Sequence, residues 1–221
     1  MKPRIKPIAR VQENLLAKSE RRLLNWLCGK LPSKVMPDHL TVLALVGAMI
    51  ICAGYVASAT DPRWLLVAIG GYFIHWFGDS LDGSLARYRD IERPRFGYFV
   101  DHSADALGTM MIVTGIGLSP YVRLDVSLVA LAGYYLLSIH AFLAARVVGE
   151  LKLSYVAAGP TELRLILIAM TLAMLAAGIP EPIYRSLSVF DIAIGLAGLL
   201  MIAIFVVQSG LMARRILREG E

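Results

Sequence analysis

Four aspartates, Asp79, Asp82, Asp101 and Asp105, stand as two close pairs inside otherwise apolar sequence. Asp79 and Asp82 are three residues apart and Asp101 and Asp105 four apart, so in helical conformation each pair occupies one face. The short basic connection Arg89 to Arg95 makes the two flanking helices antiparallel neighbours, and all four carboxylates then converge. Bare carboxylates at close quarters repel one another strongly. Hard oxygen-binding cations such as Mg²⁺, Mn²⁺ or Ca²⁺ remove the conflict, and a pair of them adds a clamp for phosphate oxygens. The spacing therefore predicts a divalent-metal site, and no His/Cys cluster of zinc type competes with it. The plainer alternative is that Asp79 and Asp105 only pair with Arg87 or Arg95 at a membrane interface. Gly83 and Ala86 share a helix turn with the acids and leave room for a bulky ligand. Gly78 and Gly108 serve close helix packing equally well.

The elements that carry these residues are membrane helices. The chain of 221 residues is 57% hydrophobic with a mean hydropathy of +0.63, well above soluble domains. Six segments approach or exceed the roughly 18 to 20 residues that cross hydrocarbon as a helix: Leu40 to Ala59, Trp64 to Tyr88, Phe96 to Leu118, Val126 to Val148, Leu163 to Ile179 and Phe190 to Met212. The expected fold is all-α and polytopic, with a segment 1–38, a six-helix domain 39–213 and a tail 214–221. Lys and Arg gather in short cytoplasmic loops. With the N-terminus inside, the inner segments collect Lys2 through Lys34, Arg87 to Arg95, Arg146, Lys152, Arg164 and Arg214 to Arg218, while the outer loops keep Arg63, Arg123 and Arg185. Both termini are then cytoplasmic.

From Ile8 to Leu31, leucines 16, 23, 24, 27 and 31 recur at helical spacing with charges on other faces. This pattern predicts an amphipathic helix in the cytoplasmic interface with Trp26 at head-group depth; an arm folded back on the protein is the alternative. The first 35 residues lack the apolar core of a signal peptide. Cys28 and Cys52 suit neither a disulfide nor a metal. The net charge of +5 lies along membrane flanks, which points to anionic lipid rather than nucleic acid. His75 and His140 lie within spans as expected interhelical hydrogen-bonding residues.

Asp79-Ser-Leu-Asp82-Gly83-Ser-Leu-Ala86-Arg87 followed by Gly97-Tyr-Phe-Val-Asp101-His-Ser-Ala-Asp105 resembles the signature of the CDP-alcohol phosphotransferases, D-x2-D-G-x2-A-R-x8-G-x3-D-x3-D. Nine residues, not eight, separate Arg87 from Gly97; the extra one falls in the loop, where insertions are tolerated. Pro37-Asp38-His39-Leu40-Thr41 is similar to the family's P-N-x-[LI]-T element, with Asp in place of Asn. The resemblance implies transfer of a phosphoryl-linked group from a CDP-bearing donor to an alcohol, with release of CMP. It implies two divalent ions, Mg²⁺ or Mn²⁺, held by Asp79, Asp82 and Asp101, with Asp105 completing the second metal site and acting as general base. Gly83 and Ala86 would clear space for the cytidine half of the donor, Arg87 would lie near the mouth, and Thr41 and Asp38 would contact the nucleotide. An N-cap is the alternative role for Asp38.

The acceptor is less legible. Arg93, Arg95, Arg146, Lys152 and Arg164 would form an anion pocket for a phosphorylated acceptor, although basic inner loops occur in any membrane protein. Glu162 and Thr161 suit a helix start, and Glu162 with Arg164 would equally select the acceptor. Asp101-His102 resembles the choline and ethanolamine phosphotransferases, whereas the basic loops favour CDP-diacylglycerol as donor to a small polar alcohol. The latter is the preferred expectation. Expected partners are the CDP-linked donor, the alcohol acceptor and membrane lipids, with a homodimer left open. A cation transporter is the rival of another class, but the acids do not continue across the membrane.

Overall fold

The computed structural model describes residues 9–11, 17–148, 150–152 and 159–219. Seven helices dominate the described residues: α1 Ala17–Lys30, α2 Pro37–Ala57, α3 Trp64–Tyr88, α4 Pro94–Gly117, α5 Leu124–Val147, α6 Pro160–Ala177 and α7 Val189–Glu219. Two short strands, β1 Ala9–Val11 and β2 Glu150–Lys152, pair in parallel. Helices α2 to α7 coincide closely with the six expected spans. Four of them, α2, α5, α6 and α7, are long and apolar enough to cross a membrane. Helices α3 and α4 have the length, 25 and 24 residues, but carry the aspartates and histidines that dilute their apolar character. The protein is an all-α membrane protein. Helix α7 runs on to Glu219, about 46 Å at 1.5 Å per residue, so its arginine-bearing end outlasts a hydrocarbon core of about 30 Å.

The tightest seam joins α2 and α3. A Cβ on Gly47 would stand 2.5 Å from the backbone N of His75, and one on Gly54 2.6 Å from that of Ala68. From the other helix, a Cβ on Gly71 would meet Ile51 at 2.8 Å and one on Gly78 the backbone N of Ala44 at 2.5 Å. All four contacts obey one antiparallel register, in which each step up α2 is a step down α3. Without side chains at these points the backbones approach as closely as small residues permit in membrane helices. Gly78 is thus a packing residue. Beyond this seam Tyr55, Tyr72 and Ile51 are fully buried, and the Tyr55 hydroxyl meets those of Thr171 at 2.5 Å and Tyr72 at 3.3 Å. These bonds satisfy buried polar groups and tie α6 to α2 and α3. A second close pair is α5 with α7, where Gly133 faces the Gly198 carbonyl and His140 Nδ1 lies 3.1 Å from Ser209 Oγ.

Two expectations for the N-terminal region change. The helix foreseen from Ile8 to Leu31 begins at Ala17, and Ala9–Val11 is instead a strand paired with β2; residues 1–8 and 12–16, Leu16 among them, lie outside the described residues. Leu24 and Cys28 of α1 are buried against Leu40, Leu81 and Leu85, so this helix packs on the ends of α2 and α3, with Trp26 and Leu23 exposed. Burial raises the Cys28 thiol pKa above its ordinary value. Asp38 is not the cap of α2. Pro37 occupies the first helical position and Met36 the cap, because proline suits a position whose N–H has no partner anyway. Arg89 locks the turn between α1 and α2, donating to the carbonyls of Leu31 at 3.1 Å, Pro32 at 2.9 Å and Val35 at 2.6 Å.

The seam makes a direct prediction. Gly47→Val or Gly78→Val forces backbones apart and should cost at least about 1–3 kcal/mol by overpacking, read as a lower thermal midpoint in detergent. Gly70→Ala, where a Cβ meets nothing within 4 Å, should leave the midpoint level or raise it.

Candidate active site

Helices α3 and α4 deliver the acids, and α2 and α6 deliver their partners. Asp82 is 7% exposed; its Oδ2 accepts the Thr41 hydroxyl at 2.7 Å and its Oδ1 the Gly83 N–H at 2.5 Å. The register that sets Gly47 against His75 also sets Thr41 beside Asp82. Asp79, one turn along the same face, forms an ion pair with Arg164 of α6, both side chains being largely buried at 18% and 12% exposure. The Asp105 carboxyl of α4 lies close beside it. Asp101 interacts electrostatically with Asp82 and with Asp105. Electrostatic interactions thus link the four carboxylates that the spacing brings to two faces.

His102 belongs to the same cluster. Its Nδ1 lies 3.6 Å from Asp105 Oδ2, while Tyr98 packs edge-on at 4.4 Å between ring centroids and Phe142 lies at 5.0 Å. Donor atoms of Asp101, His102 and Asp105 all fall within 4.8 Å of one another. Sequence reasoning used His102 only as a hint about the donor; its position three residues before Asp105 was the available signal.

The donor set fits a hard divalent ion. Neighbouring carboxylates such as Asp79 and Asp105 repel unless a proton or a cation lies between them, and carboxylate oxygens are the ligands that Mg²⁺ and Mn²⁺ prefer. The face beside the acids is open as well. A Cβ on Gly83 would meet only the Arg87 guanidinium, at 3.3 Å, and one on Gly97 would meet nothing within 4 Å. Ala86 is half-buried and Arg87 exposed, the latter donating to Ser84 Oγ at 3.3 Å.

The basic residues foreseen as one anion pocket have separate surroundings. Arg164 sits among the acids. Arg93 pairs with Asp38 at the start of α2 and stacks over Phe96 at 4.4 Å, so Asp38 and Arg93 form one contact between the starts of α2 and α4. Arg95 is exposed beside them, and Arg146 is exposed in the last turn of α5. Lys152 lies in β2, and its side chain is outside the described residues. Glu162 closes the first turn of α6, its Oε2 accepting the Gly159 N–H at 3.0 Å. His75, 8% exposed, is wedged against Gly47 and Gly108, and its Nδ1 has no hydrogen-bond partner among the described residues.

A family model described as CDP-alcohol phosphatidyltransferase matches residues 34–211, a stretch that holds the whole acid cluster. The chain belongs to the CDP-alcohol phosphatidyltransferase family. Members of this family use divalent metal. Two relatives are cholinephosphotransferase 1 of Danio rerio, 34% identical over 97 residues, and archaetidylinositol phosphate synthase of Pyrococcus horikoshii, 29% identical over 104 residues. The matches cover 41% and 47% of this chain and 25% and 52% of those proteins. The chain thus spans about half the length, or less, of the relatives it matches.

The Asp79–Arg164 pair can be tested without substrate. Removing one partner of a buried pair costs about 3–5 kcal/mol, so Arg164→Ala should lower the thermal midpoint in EDTA. Mn²⁺ should restore more of the loss in the variant than it adds to wild type, since a cation between the acids takes over the role of the guanidinium. An unchanged midpoint in EDTA would show that Arg164 does not hold the acids together.

Proposed function

We propose that this protein is a metal-dependent transferase that moves a phosphatidyl group from CDP-diacylglycerol to a small polar alcohol and releases CMP. The observation that supports the reading is the gathering of aspartates from α3 and α4, with donor atoms of Asp101, His102 and Asp105 within 4.8 Å of one another and Asp79 and Asp82 interacting electrostatically with the α4 acids. Asp79, Asp82, Asp101 and Asp105 would hold two divalent ions, Mg²⁺ or Mn²⁺, which when bound neutralise the diphosphate and the charge that develops on CMP. Thr41 orients Asp82 from α2. Gly83 and Ala86 leave the cytidine half of the donor its space, and Arg87 and the Asp38–Arg93 pair border it.

Asp105 takes the proton of the acceptor hydroxyl. The acceptor oxygen attacks the phosphorus distal to cytidine, the bond from that phosphorus to the bridging oxygen breaks, and CMP leaves with the electron pair. Such in-line displacement asks for positioning and charge compensation more than for covalent chemistry. Arg164, held at the Asp79 end of the cluster, supports an anionic acceptor: a guanidinium there suits a phosphorylated alcohol. Diacylglycerol would have no use for it. The same reading takes α3 and α4 as the two remaining spans, with the acid ends and both termini facing the cytoplasm, which the distribution of Lys and Arg supports. A homodimer belongs to the proposal as well, to be read by light scattering in detergent.

The second reading is transfer from CDP-choline or CDP-ethanolamine to diacylglycerol. It is favoured by His102 lying 3.6 Å from Asp105 and by the name of the Danio rerio relative.

Purified protein should release CMP from CDP-diacylglycerol only with divalent metal, and activity that survives EDTA would refute the mechanism. Asp105→Asn should lower turnover by about 10²–10⁴-fold while donor binding persists, since loss of a base costs chemistry more than ground-state affinity. Both donor types crossed with glycerol 3-phosphate, inositol, inositol phosphate, serine and diacylglycerol, scored by product lipid, decide the substrate. Product from CDP-choline or CDP-ethanolamine alone would replace the first reading with the second.

A further inference from the structure

Helix α1 lies ahead of the residues matched by the family model, which begin at 34, yet it reaches the helices of the acid cluster. One carboxylate oxygen, Glu20 Oε1, accepts the indole N–H of Trp76 at 3.0 Å and the hydroxyl of Thr161 at 2.7 Å. Trp76 is three residues before Asp79 on α3, and Thr161 is three before Arg164 on α6. Glu20 therefore joins the same two helices as the Asp79–Arg164 ion pair, about one turn from it on each.

This matters because the first turns of α6 are lightly packed. Only 11% of its apolar span is buried within the protein, against 39% for α2. The apolar packing of α6 centres on Met174, with Leu167, Ile168, Met170 and Leu175 against the core, whereas Leu163, Leu165 and Ile166 near its start are exposed and the first turn is tied by Thr161 to Glu20. The first turn of α6 is closed by Glu162 on Gly159, so it moves as a rigid turn, and Arg164 moves with it. Helix α1 is itself fixed by the burial of Leu24 and Cys28 and by the hold of Arg89 on the carbonyls that follow it. Glu20 thus links helix α1 to the lightly packed first turns of α6.

We infer that Glu20 is a positioning residue, which sets the first turn of α6 so that Arg164 meets Asp79. Its consequence for catalysis rests on the reading of Arg164 as the acceptor-side cation; its consequence for structure does not. The two are separable by experiment. Spin labels at Val42→Cys on α2 and Ile166→Cys on α6, both exposed positions, in a background with Cys28 and Cys52 replaced by Ala, report the distance between these helices. A narrow distribution is expected with Glu20 and with Glu20→Gln, which keeps an acceptor oxygen. Glu20→Met, which keeps the volume but not the oxygen, should broaden or shift it, and so should Trp76→Phe combined with Thr161→Val. An unchanged distribution in Glu20→Met overturns the inference.

In CMP release from CDP-diacylglycerol with inositol phosphate, Glu20→Met should raise the acceptor KM by about tenfold, a coupling within the range for residues of one network, with kcat changed far less. Added to Arg164→Ala it should change nothing further, whereas additive losses would overturn action through Arg164. Should that substrate pair give no product while the spin-label distance responds to Glu20, the reading of the acceptor fails and the positioning role stands.

Discussion

Holding four carboxylates together inside a helical bundle is the constraint on which the remaining architecture depends. A carboxylate within a membrane span costs about 2.5–3.5 kcal/mol on insertion scales, and here each one also faces others of its own sign. Three of the acids have different partners. Asp82 takes the Thr41 hydroxyl and the Gly83 N–H, Asp79 takes Arg164, and Asp105 has His102 nearby. Those partners come from α2, α6 and α4, so the acids on α3 dictate where three other helices lie. The glycine seam serves the same end. Sliding α2 along α3 by one turn would separate Gly47 from His75 and Thr41 from Asp82 together, so the packing register and the site register are a single quantity.

What could be read from the sequence follows from period and length. Spacings of three and four put the acids on helical faces, and apolar runs near twenty residues located the helices; the second expected span and α3 share both ends, Trp64 and Tyr88. Features that depend on a choice among equivalent residues were not legible. Arg164 was one of five basic residues near inner loops, and only folding selects it as the one that enters the cluster. Asp38 had the chemistry of a cap, but Pro37 at the first helical position moves the cap back to Met36; the proline was the stronger signal. The strand at Ala9–Val11 is too short for alternation to reveal it, and it exists only through its distant partner β2. Glu20 looked like one charge on the polar face of an amphipathic helix. Nothing local distinguishes it from Lys18 or Arg21.

The division between the motif and its surroundings explains why family membership was legible when the acceptor was not. On the proposed reading the four aspartates would face the part of a CDP-linked donor common to every substrate pair, its diphosphate, which makes the motif indifferent to which partner carries the lipid. The two relatives illustrate this: their names describe different products, and each is similar to this chain over less than half its residues. On the proposed reading, discrimination falls to groups outside the motif, with Arg164 first among them. That residue stands in the lightly packed first turns of α6, whereas α2 and α3 are locked backbone to backbone. A helix placed by a few hydrogen bonds can be re-aimed by exchanging one polar side chain. The seam that holds Asp82 against Thr41 is untouched by such a change, so acceptor choice can vary while the diphosphate chemistry stays in place.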